Sequence, residues 1–469
     1  MVRSSSCVPR GARSTRRSRR TWAPGRICSA CSPDCRRRPT GSACCPLAAQ
    51  RVSSLSDVSG SEPRSDAVAL DRAPLDVIEG ADGFRSAVAA LAAGHGPVAI
   101  DAERASGFRY SQRAYLIQVF RRGAGSFLFD PPAIGDMSAL ATTLGDVEWI
   151  LHAASQDLAC LREVGIDPLR VFDTELGARI AGLPRVGLGT VVEELLGIHL
   201  AKEHSAADWS TRPLPQSWLL YAALDVELLP DLRDALAAIL EADGKLDWAW
   251  QEFDATLERE TPTRIDPWRR LSGIHALRSP RALAVARALW TARDDYARET
   301  DTAPGRLVPD ASLLSVARAI PESKRALAGM REFTGRASRS QLDRWWAAVE
   351  LGLADPAPPA LRASGDGGPP PPRVWSEKNP EADARLRHAR GAVTEVSERL
   401  SIPMENLLTP ESLRRLAWSP PADGSVDAIA EALGALGARP WQIQLTAAPI
   451  AEAFVEARQG IGAAVAEPS

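Results

Sequence analysis

The sequence predicts an α/β domain, a mixed sheet with flanking helices, followed by two all-α domains. Short apolar, strand-length runs are confined to the first half of the chain, and helical spacing fills the rest. A proline-rich break then divides the helical part in two.

From about Leu75 the elements follow in order. Phe84 to Ala93 has helical spacing, and Pro97 to Asp101 reads as a buried strand. Tyr115 to Phe120 and Ser126 to Phe129 are two more strands, joined by the glycine-containing turn 121–125. Trp149 to His152 is a fourth strand, running at once into a helix from Ser155 to Val164. From Phe172 the pattern is mostly helical: Thr174 to Ala181, Leu188 to Leu196, Pro215 to Leu224 and Glu227 to Ala242. These segments set the first domain at 74–250. Arg281 to Thr300, Pro309 to Ala319, Glu322 to Met330 and Arg339 to Leu351 make a helical domain at 268–352. Residues 353–378 hold the prolines and read as an extended linker. Glu381 to Leu400, Met404 to Leu407, Pro410 to Ala417, Val426 to Leu436 and Trp441 to Glu456 make a second helical domain at 379–458, a weak internal repeat of the first.

The head of the chain is different. Residues 1–51 carry twelve Arg against one acid, Asp34, so +11, and the other 418 residues carry −14 of the total −3. Six of the seven cysteines lie there, and hydrophobic periodicity is almost absent. Three readings stand: a zinc site on Cys28, Cys31, Cys35, Cys44 and Cys45; an Arg-rich tail that grips nucleic acid; or, preferred, an N-terminal extension (1–73) that is disordered or wrongly annotated. With only Cys160 in the body, disulfides are not part of the design, and a cytoplasmic location is expected. No apolar run approaches the roughly 18 residues of a membrane span, so no membrane partner is expected.

Three stretches place carboxylates where a strand ends or a helix turns. Asp101 and Glu103 are two apart on a strand, so both point to one face. Asp157 falls in the first turn of a helix, where an anion also compensates the helix dipole. Tyr221 and Asp225 are one helical turn apart and share a face. Two unit charges about 5 Å apart cost roughly 3 kcal/mol at an effective dielectric near 20, so four gathered acids call for divalent metal. Such a cluster reads as a two-metal site for phosphoryl chemistry.

In order and spacing, these stretches resemble the three exonuclease motifs of the DEDD superfamily of 3′-to-5′ exonucleases, tyrosine subclass, and most closely the ribonuclease D family. The run Asp208 to Leu214 resembles that family's sequence ahead of its third motif. Trp290, Arg293 and Pro304 to Leu313 resemble the helicase-and-RNase-D C-terminal (HRDC) domain, with the second helical domain as a less clear copy. The resemblance implies a ribonuclease H-like exonuclease fold. It also implies that Asp101, Glu103 and Asp225 hold one metal ion, with Asp101 bridging to a second that Asp157 holds directly or through water. Tyr221 would orient the attacking water. Two Mg²⁺ or Mn²⁺ ions suit the oxygen-only ligand set. The expected substrate is the single-stranded 3′ end of RNA, tRNA precursors among them, cut to nucleoside 5′-monophosphates; a DNA exonuclease or a non-catalytic nucleic-acid scaffold are the alternatives.

The chain departs from the family at Arg104, where an aromatic is common; Arg104 either contacts a phosphate or is merely exposed. His152 is expected packed or solvent-facing more than catalytic. Trp268-Arg269-Arg270, together with Arg331, Arg336, Arg339 and Arg344, are candidate RNA contacts, with Trp345 or Trp346 as a stacking platform. No Gly-x4-Gly-Lys-Ser/Thr loop occurs, which removes the phosphate cradle of a helicase.

Overall fold

The strand carrying Asp101 and Glu103 is central to a six-stranded sheet. The structure, a computed structural model, describes residues 75–200, 207–259, 265–361 and 368–466, with side chains to 459. The Arg- and Cys-rich head, and the readings made of it, lie outside the described residues.

The strands are β1 (Val77–Ile78), β2 (His95–Arg104), β3 (Ala114–Arg122), β4 (Gly125–Phe129), β5 (Trp149–Leu151) and β6 (Val171–Asp173). Their spatial order is β1-β4-β3-β2-β5-β6. The β2–β3 and β3–β4 pairs are antiparallel hairpin neighbours, while β2–β5, β5–β6 and β1–β4 are parallel. The sheet is thus mixed, as the pattern predicts. β1 and β6 are additional strands: each offers only two consecutive apolar residues, Val77–Ile78 and Val171–Phe172, where the predicted β5 offers three. Phe172 belongs to β6 and not to a helical stretch.

Helices cover the sheet. Ala81–Ala93 buries Phe84, Ala87 and Leu91 against it. Gln216–Glu227 lies over β2, β3 and β4. A break at Leu228, with Pro230 in the next first turn, separates it from Leu229–Ala242. Leu246–Glu258 then leads out of the sheet domain.

The first helical unit is built on Pro280–Glu299, capped by Ser279 Oγ on Ala282 N, packed along Leu342–Ala354. Gly352 makes that approach possible, because a Cβ there would sit 2.5 Å from Val285 Cα. In the second unit, Pro380–Leu400, capped by Asn379, packs along Pro440–Ala466.

Both units clasp the sheet domain. Asp301 accepts from Ser111 N at 2.9 Å and from the Tyr115 hydroxyl at 3.2 Å, and Arg306 lies 4.0 Å over the Phe108 ring. On the other side, Arg439 forks onto both carboxylate oxygens of buried Glu252, which also accepts from Trp441 Nε1 at 2.8 Å. Trp441 stacks on Trp248, and Lys245 Nζ donates to the Leu400 carbonyl. One hydrophobic core runs through the sheet domain and the second helical unit, whereas the first unit has its own.

Candidate active site

Register on β2 sets the first two acids. Asp101 pairs with Gln118 and Glu103 with Leu116 on β3, so both carboxylates leave the same face while Ile100 and Ala102 are buried on the other. Between Glu103 and Arg104 the register slips, with Arg104 opposite Ala114. Such a bulge ends strict alternation and re-aims a side chain. Arg104 consequently lines the same cavity as the two acids.

Asp157 arrives from the loop after β5. Ala153 adopts φ 63°, a short 3-10 turn spans Ala154–Gln156, and Asp157 sits at the junction with the helix Leu158–Glu163. The predicted single helix from 155 is therefore split at the acid. Buried Asp173, at the end of β6, accepts from Ala153 N at 3.0 Å and Ala154 N at 2.9 Å while capping its own helix through Glu175 N and Leu176 N. Asp173 was not singled out in the sequence. Its one sequence signal is its place after the apolar pair Val171–Phe172 and ahead of a helix, where a cap is expected.

Tyr221 and Asp225 come from the Gln216–Glu227 helix, one turn apart, and are hydrogen-bonded to each other. The run before that helix is a latch. Arg212 donates to Asp130 Oδ2 at 2.6 Å and to the Tyr115 and Trp209 carbonyls at 2.8 Å each, tying the loop to β3.

Carboxylate oxygens of Asp101, Glu103 and Asp225 lie within 4.8 Å of one another. Asp157 is outside that triplet but touches Asp101 through a carboxyl–carboxyl hydrogen bond. All five predicted site residues line one cavity of about 440 Å³. Burial first, then mutual repulsion, pushes Glu103 up to about 10, and Asp157 and Asp225 to about 8; Asp101 also moves up, mainly through burial. Tyr221 is driven upward by burial and by Asp225, so its phenol stays protonated. A bare cluster of this kind is held together by protons. A hard divalent cation, which prefers oxygen ligands, fits the same donors.

His152 lines the cavity wall, but Nδ1 meets Thr174 Oγ1 at 2.9 Å and the ring also donates to the Val186 carbonyl. Burial lowers its pKa to about 4, so it is a packed neutral ring. In the first helical unit, Trp345 is fully buried with Nε1 on the Ala337 carbonyl, and Trp346 is half-buried against the core. Neither is the exposed platform considered from sequence. Trp268 is buried too, and Arg344 is paired with Glu299. Arg331, Arg336 and Arg339 are exposed.

A mixed sheet with an acidic cavity over its central strand is the architecture of 3′–5′ exonuclease domains. Residues 76–241 match the family model described as 3'-5' exonuclease, a fold that generally uses divalent metals. Residues 282–349 match the HRDC domain, and 368–454 match a 3' to 5' exonuclease C-terminal domain. The HRDC expectation is thus met for the first helical unit, while the second matches a different model. The solved structure of Escherichia coli RNase D is 30% identical, with a TM-score of 0.59, covering 78% of this chain and 98% of that one. A solved protein from Bifidobacterium adolescentis is 39% identical, TM-score 0.75, covering 81% and 96%. Ribonuclease D of Gluconacetobacter diazotrophicus is 36% identical over 42% of this chain and 51% of its own length. The chain spans about half to two thirds of the length of the curated relatives it matches. This chain belongs to the ribonuclease D family.

Proposed function

We propose that the chain is a metal-dependent 3′–5′ exoribonuclease that trims single-stranded RNA 3′ ends, tRNA precursors among them, and releases nucleoside 5′-monophosphates. The observation that carries this reading is the convergence of Asp101, Glu103 and Asp225 within 4.8 Å, with Asp157 against Asp101 and Tyr221 against Asp225. The E. coli relative is described as an exoribonuclease involved in structured RNA processing.

Asp101, Glu103 and Asp225 would hold one Mg²⁺ or Mn²⁺, and Asp101 with Asp157 a second. Divalent cations bound there would stabilise the charge that builds on the phosphodiester during in-line displacement. The residues supply the rest. Tyr221, kept protonated and tethered to Asp225, orients the attacking water. Arg104 places a guanidinium in the cavity where a phosphate would enter. In this reading 74–250 is the nuclease domain, with helical domains at 268–352 and 379–458 joined by 353–378. Exposed Arg331, Arg336 and Arg339 offer phosphate contacts despite the net negative charge. Cytoplasmic residence belongs to the same reading: Cys160 is buried and free, and among the described residues no helix is long and apolar enough to cross a membrane.

The deciding experiment incubates the purified chain with 5′-labelled RNA and Mg²⁺, beside a DNA oligonucleotide of the same sequence. A ladder shortened from the 3′ end of the RNA, stopped by EDTA, is expected. Preferential digestion of DNA, or digestion that survives EDTA, would refute the assignment.

A further inference from the structure

We propose that Gln118 is a positioning residue for the Asp101 carboxylate in the divalent-cation site. The inference rests on the metal-site reading above and adds a residue to it.

Gln118 lies on β3, is wholly buried, and among the described residues neither its Oε1 nor its Nε2 has a hydrogen-bond partner. Among the described residues a few other buried side chains leave one polar atom unpaired, such as Arg293 Nε, whose guanidinium is otherwise bonded to Val308 O and Asp310. At Gln118 both ends of a carboxamide are orphaned. A buried amide in that condition destabilises the fold, and an apolar residue of the same shape would suit the slot better. Its neighbours are apolar: Leu116 two residues back on the same face, and Leu128 opposite on β4.

The exception is Asp101, directly across the antiparallel pair. Facing residues in such a pair have Cβ atoms about 4.5–5.5 Å apart on the same side of the sheet, within reach of a glutamine amide to an aspartate oxygen. The Gln216–Glu227 helix, which brings Tyr221 and Asp225, closes over this face. With a divalent cation held by Asp101, Glu103 and Asp225, Gln118 Nε2 would donate to the Asp101 oxygen left free and fix the carboxylate's orientation. Changing a partner of this kind typically costs about 10- to 100-fold in metal affinity.

The test uses the full chain stripped of metal, with Mn²⁺ binding followed directly by electron paramagnetic resonance and thermal unfolding measured alongside. Gln118→Met should melt at the same or a higher temperature without metal, yet bind Mn²⁺ about 10- to 100-fold more weakly. A residue that only packs would move stability and leave Mn²⁺ affinity alone, and that result overturns the proposal. If Gln118→Met does not fold, Gln118→Asn, which keeps the amide but shortens its reach, decides on the same readout. Wild type that binds no more Mn²⁺ than Asp101→Asn overturns the metal-site reading and this inference with it. Strong wild-type binding unchanged in Gln118→Met sinks the inference alone.

Discussion

Arg104 and Asp157 face each other with guanidinium nitrogen and carboxylate oxygen 3.5 Å apart. The separation is longer than a charge-assisted hydrogen bond, so the pair is Coulombic and loosely held. Asp157 is buried and Arg104 is partly open to the cavity. The site thus carries a cation of its own beside Asp157, the predicted acid that lies outside the Asp101–Glu103–Asp225 triplet.

Removing that cation should help metal and hurt substrate. Arg104→Ala is expected to tighten Mg²⁺ activation by roughly five-fold, the equivalent of about 1 kcal/mol for a partly exposed pair. The KM for RNA should rise at saturating Mg²⁺. A Mg²⁺ titration at fixed RNA and an RNA titration at fixed Mg²⁺ separate the two effects; a rise in both constants would contradict the placement.

The ligands and the phenol should differ in kind. Asp101→Asn or Asp225→Asn removes stabilisation of several kcal/mol, so turnover should fall on the order of 10³-fold or more. Tyr221→Phe should slow kcat about 10²-fold through misplacement of the attacking water, with Mn²⁺ affinity nearly unchanged. Single-turnover rates with parallel Mn²⁺ binding check both.

The acids also predict how stability follows pH. In the metal-free chain Glu103 titrates near 10, and Asp157 and Asp225 near 8, well above ordinary carboxylates. The folded chain therefore holds protons that the unfolded chain has released, and these groups' stabilisation is complete below about pH 4. It is lost as pH rises through about 8 to 10. In EDTA the melting temperature should fall from pH 5 to pH 9, and the increment given by Mg²⁺ should grow over that window. A melting temperature in EDTA that climbs across the range would contradict the cluster's electrostatics.

Glu252 and Arg439 should govern attachment of the second helical unit. Arg439→Ala leaves the Glu252 carboxylate buried with only Trp441 Nε1 as donor. Leaving a buried carboxylate short of its donors in this way costs about 1–3 kcal/mol, at the lower end because Arg439 is itself partly exposed. Limited proteolysis should then release the helical unit from the sheet domain at lower temperature, while an unchanged digestion pattern would count against the pair as the main clasp.

Much of this is legible in the sequence. Asp101 and Glu103 at spacing two, Tyr221 and Asp225 at spacing four, and the apolar run into Asp101 each follow from local geometry. The helical second half is legible for the same reason: its helices are long enough for the apolar period to show. Strands β1 and β6 are not, because a run of two apolar residues, Val77–Ile78 or Val171–Phe172, becomes a strand only through its partners.

What the chain's order alone determined, then, is which residues share a strand or helix face. Which faces meet was decided by tertiary structure. The bulge that turns Arg104 into the cavity depends on how β3 pairs, and the stapling of the Asp157 loop by Asp173 depends on β5 and β6 lying side by side. The burial of Trp345 and of Gln118 likewise depends on what packs against them. Periodicity is a property of neighbours along the chain, whereas register, burial and charge coupling belong to groups brought together from far apart in sequence.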